Sequence, residues 1–184
     1  MIVDFRRNKV PILPLYINNT EVERISSFKF LGTYISNDLS WNINCDKILM
    51  KAKQRLYFLR QLNFYHVNNT ILLHFYKAII QSILTSSILV WFDRATQHDL
   101  SKLSAIIKQS ERIIGLPLPS LEEIFLERLS RKTKLIFNDD SHPASKYFTF
   151  LRSGRRLKQF KGNQRFLKST YPQAVKYFNG SRNT

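Results

Sequence analysis

Seven cations, Arg152, Arg155, Arg156, Lys158, Lys161, Arg165 and Lys168, alternate with the rings of Tyr147, Phe150, Phe160, Phe166 and Tyr171 near the end of this chain. Cations at that density neutralise phosphates, and aromatic faces among them stack on exposed bases, at roughly 1–3 kcal/mol per base in favourable sites. The same residues could instead close into a small aromatic cluster kept soluble by its charges. A second set is periodic: Lys47, Lys51 and Arg55 recur every four residues, which places them on one face of a helix. Like charges at that spacing repel by a few tenths of a kcal/mol per pair. Three in succession face either solvent or something negative.

Charge is distributed unevenly. The 184 residues carry 29 Lys and Arg against 13 Asp and Glu, a formal charge of +16. Residues 141–184 hold ten of the cations and no acid. A polyanion is the expected partner, although an anionic membrane surface would satisfy charge alone.

Groups for bond-making chemistry are scarce. Two-metal catalysis needs several converging carboxylates, whereas Asp4, Glu21, Glu23, Asp38, Asp46, Asp93, Asp99, Glu111, Glu122, Glu123 and Glu127 are scattered. They suit helix caps and surface charges. Asp139 and Asp140 lie in a polar linker without a third carboxylate beside them. His66, His74, His98 and His142 lack the spacing of zinc ligands. The single cysteine, Cys45, excludes an intramolecular disulfide and suits a packed core position. No serine sits in a strained elbow, and no Gly-rich phosphate loop is present. The expectation is a binding protein with no catalytic residue, metal or cofactor.

The positioning elements read as α+β, mainly α. Residues 1–40 suggest a short β-hairpin or sheet fragment, with extended runs in Met1–Phe5, Leu15–Ile17 and Glu21–Ile25. Asn18-Asn19-Thr20 is the tight turn. Phe28, Phe30, Gly32 and Tyr34 alternate along a third strand, with Gly32 marking a bend. From Trp41 the period changes to that of a helix, with Cys45, Ile48, Ala52, Leu56 and Leu59 inward.

Asn68 or Asn69 caps a second long helix running to about Trp91. Thr96 opens a third that ends at Gly115. Ser120 and Glu123 form the capping box of a fourth, which buries Ile124, Leu129 and Leu135. Thus residues 41–137 form a helical bundle and residues 138–184 a basic, aromatic-rich extension. Ile71–Trp91, interrupted by His74, Lys77, Gln81 and several hydroxyls, reads as a buried helix too polar for a membrane span.

The ordered pieces "MIVDF", "INNTEVERISSFKFLG", "LSW", "KAKQRLYFLRQL" and "YKAIIQSILTSSILVWF" resemble reverse transcriptases of LINE-like, non-LTR retrotransposons, in the portion after the catalytic palm motif. The resemblance implies that Met1–Phe5 is the last palm strand and that Phe28, Lys29, Phe30, Leu31 and Gly32 are a primer grip. It implies a thumb helix over Trp41–Leu62 whose Lys47, Lys51 and Arg55 follow the template–primer backbone. The paired-aspartate hairpin of such polymerases is absent, so the implied role is holding nucleic acid without extending it. Segments of this kind also carry the label of an N-terminal region of AlkB-type alkylated-DNA-repair proteins. The chain offers no His-x-Asp/Glu pair with a distant His for an iron facial triad.

Expected partners are RNA, DNA or their hybrid, together with the palm and fingers domains the resemblance implies; a membrane is not expected. Met1 leads into "IVDF" and not into a signal peptide, which suggests an intracellular chain, nuclear or cytoplasmic. Two other readings stay open: an interaction module that self-associates through the apolar Ile71–Trp91 face, and a degenerate retroelement product without selected function.

Overall fold

The computed structural model describes residues 1–8 and 10–181. It is α+β, mainly α, with two small antiparallel strand pairs preceding the helices. The first pair joins β1 (Tyr16–Ile17) to β2 (Thr20–Glu21), with Ile17 opposite Thr20. Its loop residues Asn18 and Asn19 have φ of 48° and 60°, the left-handed pair that a two-residue hairpin loop requires and that Asn tolerates. Met1–Phe5 forms no strand, a correction to the expected extended run: among the described residues the two strand pairs are β1–β2 and β3–β4, and neither takes it in.

The second pair joins β3 (Ser27–Phe30) to β4 (Thr33–Ser36), so the expected single strand through Tyr34 is two strands. Leu31 and Gly32, at φ of 45° and 86°, are its two-residue loop. Gly32 therefore reverses the chain, where alternation alone suggested a bend. Beyond it, the Asp38 carboxyl accepts from the Ser36 hydroxyl at 2.5 Å and the Ser40 backbone N–H at 2.8 Å. Those bonds hold its pKa down at about 2 and organise the approach to the first helix.

Helix α1 (Asn42–Phe64) buries Cys45, Ile48, Ala52, Leu56 and Leu59 against α5 (Gln97–Ile114). Asn68 accepts from the Thr70 N–H and caps α2 (Asn69–Phe75). A π turn over Tyr76–Gln81 follows, then α3 (Ser82–Leu84). The core stripe here is Leu72, Tyr76, Ile80, Leu84 and Ile88. A spacing of four overshoots an α-helical turn by about 40° per step. The wider π turn takes that drift back, so the stripe stays on one side.

The run then breaks, where the sequence pattern implied a continuous helix. Thr85 ends α3 and Ser87 takes φ 50° before α4 (Ile88–Trp91) and a 3₁₀ turn, Phe92–Arg94. The freed carbonyls find side-chain donors: Arg128 gives Nη1 to the Thr85 carbonyl (2.6 Å) and Nη2 to its Oγ1 (2.7 Å), while Trp91 Nε1 reaches the Ser86 carbonyl at 2.8 Å. Thr85 is fully buried, so Arg128→Met removes the donor to its Oγ1 and leaves its carbonyl only the long Ile88 N–H bond of 3.3 Å, which should cost about 1–3 kcal/mol in urea unfolding. Asn69–Arg94 is long and apolar enough to cross a membrane by length and composition, contrary to the sequence reading. In this fold its regular stripe lines the protein core.

Thr96 caps α5, which stops at left-handed Gly115, and Ser120 with Glu123 makes both arms of the capping box of α6 (Leu121–Phe137). Ile136 is buried in α6 and Leu135 is exposed, one position off the expected stripe. The C-terminal segment folds back on this body through a 3₁₀ turn (Ser145–Tyr147), α7 (Gln164–Leu167) and α8 (Thr170–Ser181), with α8 against α6. Asn179 bonds both the N–H and the carbonyl of Leu157, at 2.8 and 3.0 Å. Ala144, Phe148, Leu157, Ala174 and Val175 join the main core. Among the described residues four buried polar atoms lack a hydrogen-bond partner: Trp41 Nε1, Asn44 Nδ2, Asp93 Oδ2 and the hydroxyl of the fully buried Tyr76, whose pKa burial raises. Tyr76→Phe should therefore stabilise the fold by about 1 kcal/mol, read from the same urea midpoints.

Candidate nucleic-acid interface

Lys29 and Tyr34 are directly paired across the β3–β4 hairpin, so their side chains share one face. Tyr34 donates its backbone N–H to Asn44 Oδ1 at 3.1 Å, which docks that face beside the start of α1. Thr33 secures the other side of the hairpin by donating to Ser87 Oγ at 3.0 Å. Lys47 then lies over the Tyr34 ring, its Nζ 5.9 Å from the centroid. Lys51 and Arg55 continue the row along the helix, and the Arg55 guanidinium lies 5.9 Å from the Phe58 ring. At 1.5 Å per residue, Lys47 to Arg55 spans about 12 Å.

The row is electrostatically unanswered. Lys29, Lys47, Lys51 and Arg55 form no ion pair with a carboxylate among the described residues. Lys47 and Lys51 are half-buried, and Lys29 and Arg55 are exposed. Cys45 occupies the opposite, buried side of the same helix, and burial first, then the charges of Asp99 and Asp46, pushes its thiol up to about 12. A folded pKa raised above 9.0 means that unfolding releases a proton above that pH. Stability present below pH 9.0 should fall as pH climbs towards about 12, and less steeply in Cys45→Ala. Urea midpoints across that window measure it.

The remaining hairpin residues differ in orientation. Phe28 and Phe30 lie on the face opposite Lys29 and are about half exposed, while Leu31 projects at the loop tip, 87% exposed. They do not line the Lys47–Arg55 row.

In the C-terminal segment the rings face one another. Tyr147 contacts Phe160 and Tyr171, with centroids 6.0 and 5.5 Å apart, and Phe160 meets Phe166 at 5.7 Å. Phe150 packs edge-on against Phe137 at 5.7 Å. The aromatic set is thus a satellite cluster on α6 and α8, with Tyr147, Phe150 and Phe166 still about 40% exposed. Arg165 is committed internally: it donates to the Asp38 carbonyl and stacks 4.1 Å above the Phe5 ring. Lys168 borders a cavity beside Asp93, whose pKa burial raises against the lowering influence of Lys176 and Lys168. Arg152, Arg155, Lys158 and Lys161 are exposed, the first two on the loop closed by the Leu151–Arg156 backbone bond. Arg156 is exposed on that loop too.

Residues 41–82 match the family model described as alkylated DNA repair protein alkB homolog 8, N-terminal. The matched stretch holds α1, α2 and the π turn, and so carries Lys47, Lys51 and Arg55. No reverse-transcriptase family matches, and the LINE-like resemblance, with its primer grip, thumb and missing palm and fingers, is corrected accordingly. The pieces that carried it, a hairpin followed by a basic amphipathic helix, are generic enough to arise elsewhere. No curated protein and no solved structure matches the chain. Among the described residues no three His, Cys, Asp or Glu side chains come together as a metal site.

Two features escaped the sequence reading. Alternation along one strand puts Tyr34 in line with Phe28 and hides its pairing with Lys29 across the hairpin. Tyr57, Phe58, Phe64 and Tyr65 are 46–72% exposed on α1 and at its end, opposite the buried stripe. Their spacing of seven residues, 57 to 64 and 58 to 65, was the available signal.

Proposed function

We propose that this chain is a non-catalytic, intracellular nucleic-acid-binding module that holds the phosphate backbone along Lys29, Lys47, Lys51 and Arg55. The observation that carries this reading is the row itself: four cations aligned by a hairpin register and a helical repeat, unpaired with any carboxylate among the described residues. A protein surface that merely needed solubility would mix signs, whereas a row of one sign repels itself until an anion arrives. The exposed Arg152, Arg155, Lys158 and Lys161 add to the positive field. The matched family's description, a DNA repair protein, agrees with such a partner.

The test is anisotropy titration of fluorescein-labelled oligonucleotides across a salt series. Binding that weakens linearly in log–log coordinates as salt rises is expected. Absence of binding at low salt would sink the reading.

A further inference from the structure

We infer that the aromatic end of α1 is a stacking site for unpaired bases, so that the module prefers single-stranded nucleic acid to duplex; this rests on the nucleic-acid reading above. Tyr57 and Phe58 form one ring pair, with centroids 5.6 Å apart and planes at 73°. Phe64 and Tyr65 form a second, 5.4 Å apart at 80°. Both pairs are edge-to-face, an arrangement that leaves ring faces open instead of covering them with each other. Exposures of 56%, 46%, 71% and 72% put all four rings in solvent. The pairs lie two helical turns apart, about 10 Å along the axis.

The occupant follows from charge and ring chemistry. The Lys47–Lys51–Arg55 row runs into Phe58 and Tyr65, which lie within about 40° of Lys51 around the helix, and Arg55 touches the Phe58 ring. Tyr57 and Phe64 are the edge-on partners of Phe58 and Tyr65, at the flank. A strand whose phosphates follow that row brings its bases to the rings. A duplex offers no free base face except at its ends, because its bases already stack on one another; an unpaired strand does. A second copy of the chain fits poorly, since each carries a formal charge of +16 and would meet its own cationic row. Four rings in solvent without a partner would be an apolar patch that a monomer gains nothing by exposing.

The experiment compares a fluorescein-labelled oligothymidylate with a duplex of equal length, on the full chain and on Phe58→Ala/Tyr65→Ala. Loss of stacking should weaken single-strand binding by roughly tenfold to a hundredfold and duplex binding by less than about twofold. Because both residues are exposed, an unchanged melting temperature certifies the fold. As an independent readout, Tyr65→Trp places an indole in the site, and its emission should be quenched by oligothymidylate and not by duplex. Equal loss for both ligands, no loss for either, or a dimeric mass abolished by Phe58→Ala/Tyr65→Ala overturns the stacking site while leaving the phosphate row standing. Failure of the unaltered chain to bind any oligonucleotide overturns both.

Discussion

Replacing Lys47, Lys51 and Arg55 together by glutamine should lower the salt dependence of binding by about two to three in the slope of log K against log salt. Each phosphate neutralised releases counterions worth about 0.7 of slope on a single strand and 0.9 on a duplex. Three contacts along one face of α1 therefore account for that difference, and affinity at low salt falls with it. Glutamine keeps the helix, because its propensity is close to that of lysine and arginine.

The same triple variant should be slightly more stable, since two like-charged contacts at four-residue spacing are relieved, each worth a few tenths of a kcal/mol. Opposite signs for affinity and stability separate a functional row from a structural one. Anisotropy over a salt series and urea unfolding of the same samples measure both, and an unaltered slope would falsify the assignment of these three residues.

Trp91→Ala should produce the largest loss of stability, about 3–5 kcal/mol. Trp91 is completely buried at the end of α4, and its Nε1 satisfies the Ser86 carbonyl exposed by the break in the helical run. Its neighbour Phe92 stacks on Phe125 of α6, 4.7 Å between centroids, so a cavity at Trp91 loosens the contact between the two halves of the bundle. Trp91→Phe keeps a ring but loses the donor, and should cost about 1–2 kcal/mol in addition to its smaller volume change. For a chain of this size the alanine variant should melt roughly 10 °C lower. The urea midpoint should move with little change in m-value, the mark of lost stability without a change in the surface exposed.

Helices were legible wherever the local signals agreed. Ser120 with Glu123, Thr96, Asn68 and Gly115 sit at the ends their chemistry predicts, because a cap is satisfied within four residues of itself. The hairpin loop at Leu31–Gly32 reads as a bend because Phe28, Phe30 and Tyr34 keep an alternating pattern straight through it. The break at Thr85–Ser87 was invisible for another reason: its stabilising donor, Arg128, lies 43 positions away. The family resemblance failed on similar grounds, since a hairpin and a basic helix in order do not distinguish one nucleic-acid-handling family from another.

By itself the sequence determined the charge, the mainly helical fold and the four-residue cation row on α1, all consequences of composition and short-range period. Only the tertiary structure decided what those parts meet. It turned the basic aromatic segment at the C-terminus into a cluster packed on α6 and α8, because rings separated along the chain bury more apolar surface against each other than in water. It extended the α1 row with Lys29 through the pairing to Tyr34, and left the rings of Tyr57, Phe58, Phe64 and Tyr65 uncovered. Which aromatic faces remain open depends on contacts between distant segments, and local periodicity carries no record of them.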